Sequence, residues 1–328
     1  TASLYSSIFD GDILKYYDQT LQINMPVDKN STYRYLGNRA NLMSLWDVQD
    51  RLRHPNDLNM PYGFKKKELI TDKKDQWIHS VNTMNYPSAH ITNKKYDTKE
   101  LKSPLDREQA MLNGVVFNNK TQGNTPFKPN TNLLSNANQS LNNADWIDSN
   151  HLKVNQNNGG VTFNLPKSIV KNYKDMYVEM DVELLSPDKE HKVGVNEYSQ
   201  ERNRLSYKYR RFVSPVTMRT KSSSHLNITM SKGTYRFKVK GIYGEDYKTL
   251  KNASQQLKTV KVKKESNGFT ITKQQRDHGY LVLPMVYAEG MHATADGKPV
   301  KVQQGNGIMT TIPVSYTHLR AHETRGNL

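Results

Sequence analysis

Met176-Tyr177-Val178-Glu179-Met180-Asp181-Val182-Glu183-Leu184 alternates apolar and polar side chains without a break. Successive side chains of an extended chain point to opposite faces. The pattern therefore predicts a strand with Met176, Val178, Met180, Val182 and Leu184 in a core. Tyr177, Glu179, Asp181 and Glu183 make the second face, expected in solvent. The same period recurs in Val161, Phe163 and Leu165, in Leu226, Ile228 and Met230, and in Tyr235, Phe237 and Val239. Several such strands between turn residues predict a mainly antiparallel β-sandwich or jelly-roll region over 161–313.

The last part of that region is Gly279-Tyr280-Leu281-Val282-Leu283-Pro284-Met285-Val286-Tyr287-Ala288-Glu289-Gly290-Met291-His292-Ala293-Thr294-Ala295-Asp296-Gly297-Lys298-Pro299-Val300. An apolar strand runs from Tyr280 to Val286. Asp296-Gly297 then signals a hairpin, because glycine takes the positive φ of a type I′ turn at no steric cost.

Residues 1–117 read as mixed α and β. Asp10 can cap a helix reaching about Leu21, with Ile13, Tyr16, Tyr17 and Leu21 on its apolar stripe. Tyr33 and Tyr35 suggest a strand, and Leu42, Leu45, Trp46 and Val48 a short buried helix. Ser103-Pro104-Leu105-Asp106 is a helix start: serine as cap, proline at the first position, an acid three residues after the cap. Asn, Thr, Gly and Pro dominate 118–160, which reads as a linker. A short helix is expected near Tyr247–Leu257. The fold class is thus α+β.

The chain has 328 residues, a formal net charge of +16 and no cysteine. Its mean hydropathy is −0.82. The longest apolar run, Tyr280–Ala288, is far short of the ~20 residues that a membrane helix needs. Without cysteine there is no disulfide, no Cys-bound zinc and no thiol catalysis. The positive charge suits a polyanionic partner. The basic residues are scattered (Lys65–Lys67, Arg210-Arg211, Lys261–Lys264) and lack interleaved aromatics, so no nucleic-acid partner is expected. Thr1 is not an initiator methionine, which suggests a piece of a longer protein.

Pro284, Tyr287, Gly290, Asp296, Gly297 and Lys298 carry a resemblance. Their order resembles the C-terminal motif of the YfhO-like bacterial membrane protein family, with Met291 where the family has tryptophan. Gly305-Asn306-Gly307-Ile308-Met309 and Met60-Pro61-Tyr62-Gly63-Phe64 are similar to two further family segments, and the likeness extends over about 1–313. The resemblance implies many membrane helices followed by a large extracytoplasmic region, of which this chain looks like the latter alone. It also implies a GT-C type glycosyltransferase that adds sugars from lipid-phosphate-linked donors to teichoic acids and related wall polymers. The family's catalytic carboxylate belongs to an early loop absent from this chain, so no catalytic residue is carried over. After Pro313 the pattern breaks, and 314–328 read as a foreign, disordered tail.

Other constellations have plain explanations. His318 and His322 stand four apart but fall in that tail. Asp10-Gly11-Asp12 resembles a metal-holding Asp-x-Asp, yet a helix cap explains it as well. Glu179 and Glu183 could serve as paired hydrolytic carboxylates, but nothing supplies an opposing cleft. Tyr207, Tyr209, Arg210 and Arg211 could stack on a sugar or bind phosphate. No metal and no cofactor is expected. The expected function is the soluble extracytoplasmic part of a membrane glycosyltransferase, positioning its acceptor without catalysing the transfer. The expected partners are an anionic wall polymer or a lipid-phosphate-linked sugar, and the membrane itself. A stand-alone carbohydrate- or polyanion-binding module is the alternative.

Overall fold

The computed structural model describes residues 11–23, 36–72, 75–118, 124–187, 191–202, 215–266, 268–274, 276–315 and 319–322. Tyr33, Tyr35 and Asp10 lie outside them. The described chain is mostly antiparallel sheet with a small helical N-terminal part.

The alternating stretch becomes the twelve-residue strand Asp175–Ser186. It pairs with Pro215–Lys221 on one side and Gly233–Glu245 on the other. His151–Val154 and Ala144–Trp146 complete that five-stranded sheet. A second five-stranded sheet runs in the order Tyr198–Arg202, His191–Val195, His225–Met230, Gly159–Asn164, Asn138–Asn142. Both sheets feed one buried cluster: Met176, Val178 and Met180 from the first, Phe163, Val193 and Ile228 from the second. Removing that apolar surface from water is the main stabilising term, at about 25 cal/mol per Å².

The expected linker differs from what forms. Its second half supplies the strands Asn138–Asn142, Ala144–Trp146 and His151–Val154. Asn138–Asn142 is fully exposed at a sheet edge. There asparagine and serine cost little packing and discourage pairing with another chain, which is why composition hid the strand.

The boundary at 117 also shifts. His90–Thr92 pairs with Gly279–Val286, joining a sheet with Lys258–Thr259, Met309–Val314 and Gln303–Gly305. One buried cluster combines Tyr16, Leu42, Met111 and Val115 with Tyr247, Val282 and Met309. The N-terminal segment thus shares its core with the C-terminal strands, while residues 138–245 carry the central pair of sheets.

Asp296 and Gly297 take φ of 48° and 77°, closing the hairpin between His292–Ala295 and Lys298–Val300 as expected. Pro284 falls where the pairing register of Gly279–Val286 shifts, so its missing N–H costs no ladder bond. The tail expectation fails at Leu319–His322, a strand lying between Gly268–Thr272 and His292–Ala295. It fills the slot between two hairpins whose facing edges would otherwise lack partners.

Candidate functional site

The second face of Asp175–Ser186 is not the solvated one expected. Asp175 is 3%, Tyr177 0% and Glu179 5% exposed. Their cross-strand neighbours Thr217, Arg219, Tyr243 and Glu245 are buried too. The N-terminal segment lies on this face and brings polar groups of its own. Polar groups taken from water must find partners, and most do here.

The helix Pro104–Asn113 positions the first of them. Ser103 Oγ accepts from Asp106 N, and Asp106 Oδ2 accepts from Ser103 N, both at 3.0 Å. This capping box sets the helix so that Glu108 meets the sheet. Glu108 Oε1 sits 3.2 Å from Arg39 Nη1, and Glu108 Oε2 accepts from Tyr177 OH at 2.8 Å. Arg39 is wholly buried, and its Nη2 donates to Leu21 O.

Alongside, Glu245 Oε2 accepts from Asn41 Nδ2 at 2.7 Å and from Gln109 Nε2 at 3.0 Å. The Tyr247 N–H reaches Glu245 Oε1 at 2.6 Å. Burial pushes the Glu245 carboxyl up to about 7, against those donors. Glu179 accepts from Gln22 Nε2 at 2.9 Å. Of the two glutamates considered as paired hydrolytic carboxylates, Glu179 is covered and Glu183 is held by Arg236 at 2.5 Å.

At the edge of this network a polar cleft of about 280 Å³ opens. That is near the lower end of the ~300–1,000 Å³ usual for ligand pockets. One wall is Glu197, Tyr198, Ser199 and Gln200, from the turn and strand after His191–Val195. The floor is Thr217 and Arg219 of Pro215–Lys221; the far side is Asp57 and Asn59 with Asn38. Arg219 holds the parts together. Its Nη1 donates to Asn59 Oδ1 and to Tyr198 OH, each at 3.0 Å, and its Nη2 to Asp175 Oδ1 at 2.9 Å. Burial works to lower the Arg219 pKa, but the Asp175 carboxylate outweighs it and holds the guanidinium above its ordinary value. Met60 O also accepts from Arg219, at 3.3 Å, and the next-but-one residue Tyr62 stacks on Tyr247 at 4.2 Å. The Met60–Phe64 segment therefore abuts the cleft.

Tyr207, Tyr209, Arg210 and Arg211 lie outside the described residues. The motif residues Pro284, Tyr287, Gly290, Asp296, Gly297 and Lys298 are not among those lining the cleft. No cleft residue was singled out from sequence. The available signal was slight: Thr217 and Arg219 alternate with Val216 and Met218, which marks a strand whose polar face is charged. Among the described residues, no group of three or more His, Asp or Glu side chains could hold a metal ion. Nor is any described helix long and apolar enough to cross a membrane.

Residues 1–319 match the model of the family described as bacterial membrane protein YfhO. This chain belongs to the YfhO family. It is 32% identical over 311 residues to the Bacillus subtilis (strain 168) protein described as "Uncharacterized protein YfhO", covering 93% of this chain. The YfhO-family chain spans 35% of that relative's length. Among solved structures, the botulinum neurotoxin serotype D binding domain aligns over 58% of this chain and 75% of its own, at 9% identity and a TM-score of 0.21. So low a score carries no argument about fold or function.

Proposed function

We propose that this chain is the extracytoplasmic part of a YfhO-like membrane glycosyltransferase, and that it positions a teichoic-acid-type wall polymer for sugar transfer while the catalytic residues belong to the membrane body. The observation that carries the reading is the family match over 1–319. The absence of any described membrane-crossing helix and the polar cleft both support it. In this reading the two central sheets act as a β-sandwich platform. The exposed lysines of the edge strands Lys258–Thr259 and Lys261–Glu265 attract the polymer's phosphates.

Two measurements test it. Ser149 is exposed, and the chain has no cysteine of its own. Ser149→Cys in the longer membrane protein is expected to react with a membrane-impermeant maleimide on intact cells, beyond an unsubstituted control. Labelling only after lysis would place the region on the other side of the membrane. Purified lipoteichoic acid is expected to bind the 328-residue chain, and to bind it more weakly as salt rises, because exposed charges are screened beyond ~10 Å at 0.1 M. Lack of salt-sensitive binding sinks the polymer-holding role.

A further inference from the structure

We propose that the cleft between Asn59, Tyr198, Gln200 and Arg219 is a subsite for one neutral, hydroxyl-rich unit, a sugar ring or polyol, and not for the phosphate of a polymer. This deepens the acceptor-positioning reading and rests on it, since it assigns which part of the acceptor the cleft takes.

Charge argues first. The lining carries two carboxylates, Asp57 and Glu197, against one guanidinium, Arg219. Arg219 is already committed to Asp175 at 2.9 Å. Arg51 lies 3.3 Å from Asp57. Glu197 accepts from Thr220 Oγ1 at 2.9 Å and from Lys221 N at 3.1 Å, which are neutral donors. Among the described lining residues there is therefore no spare positive charge, and the Glu197 carboxylate repels an incoming phosphate.

Hydrogen bonding argues second. Arg219 Nε and Gln200 Oε1 are both buried polar atoms without a partner. Arg219 is itself only 4% exposed. One of these atoms can only donate and the other can only accept. A hydroxyl can do both, whereas the oxygens of a phosphodiester can only accept. An orphaned buried polar group is costly, and a ligand that supplies its partner recovers that cost. The planar, hydrogen-bonding side chains of Asn59, Asp57, Glu197 and Gln200, with the Tyr198 ring beside them, are the kind of lining that fixes a ring of hydroxyls.

The test is saturation-transfer NMR on the 328-residue chain. The probes are D-glucose, N-acetyl-D-glucosamine, glycerol and inorganic phosphate, each alone and in competition, with lipoteichoic acid in a parallel binding assay. At least one neutral probe is expected to bind, with an affinity unchanged between low and high salt and undisturbed by inorganic phosphate. Gln200→Leu is expected to weaken that binding about tenfold, the worth of one good hydrogen bond. Ser199→Trp is expected to abolish it by filling the cleft. Ser199 is exposed, so this variant guards against a folding failure in the first, and thermal melts check both. The subsite is overturned if no neutral probe binds, if phosphate displaces it, or if both folded variants bind as the parent does. Polymer binding that persists unchanged in both variants also overturns the subsite, while leaving the acceptor-positioning reading in place. Neutral probes that bind while lipoteichoic acid does not overturn that reading and keep the subsite.

Discussion

Glu245 is wholly buried yet faces three hydrogen-bond donors, from Asn41, Gln109 and the Tyr247 main chain. Burial is the larger influence, and the nearby Glu108 adds to it, so the carboxyl titrates at about 7 instead of the ordinary 4.5. Asn41 Oδ1 is buried without a partner, and turning that amide offers the acceptor that a protonated Glu245 needs. Between pH 4.5 and 7 the folded chain keeps a proton that the unfolded chain has released. Stability must then fall as pH rises through that window, by up to about 1.4 kcal/mol per pH unit. Glu245→Gln has no such proton. Urea unfolding at pH 5, 6, 7 and 8 is expected to show the parent losing its advantage over this variant up to neutrality, with a flat difference above. A difference independent of pH would mean that another group titrates. Nothing in the sequence around Glu245 announced this, because its partners are remote in the chain: Asn41 is 204 positions away and Gln109 136.

At the scale of elements, two turns of similar sequence have different burdens. Asp296-Gly297 is a surface turn, and a Cβ added at Gly297 would meet nothing within 4 Å. In the other, Asn306 is buried and joins distant parts. Asn306 N donates to Val116 O at 2.8 Å, and Asn306 Oδ1 accepts from Val116 N at 2.8 Å. The adjoining Gly307 has φ of 81°, and a Cβ there would run into the Tyr16 ring. Gly297→Ala is expected to cost about 1 kcal/mol, the backbone penalty alone. Asn306→Ala keeps a left-handed φ of 48° and strips Val116 N–H of its acceptor. That change should cost about 2–4 kcal/mol. Urea midpoints of the two variants compare them, and equal losses would refute the stapling role of Asn306. The Asp296-Gly297 turn and the Ser103 cap were readable locally, because caps and positive-φ turns need particular residues at fixed offsets. What each turn holds together was not.

The whole molecule is braided. Tyr16 and Leu42 share a cluster with Val282, Ile308 and Met309, and His90–Thr92 is a strand of a sheet completed by residues beyond 250. A chain ending at residue 258 should therefore lose its N-terminal unit while keeping its central sheets. Hydrogen exchange on that truncated chain is expected to show rapid loss of protection over Ala40–Leu45 and Pro104–Asn113. Amides of His225–Met230 should stay protected, since they sit inside the separate central cluster. Retained protection of both helices would show that the N-terminal segment folds without the C-terminal strands.

The cleft belongs to this largest scale. Asn38, Asp57, Glu197 and Arg219 converge only after the edges of two sheets and a loop of the N-terminal segment have come together. By itself the sequence determined the β-rich class, the core face of Asp175–Ser186, the helix start at Ser103 and the family, because alternation, caps and motifs act within a dozen residues. Only the tertiary structure decided that the polar face of that strand is buried, that the chain's two ends share one core, and that a cleft opens beside Arg219. Those outcomes depend on which surfaces meet, and burial of charge is tolerated only where a distant segment delivers the matching partner.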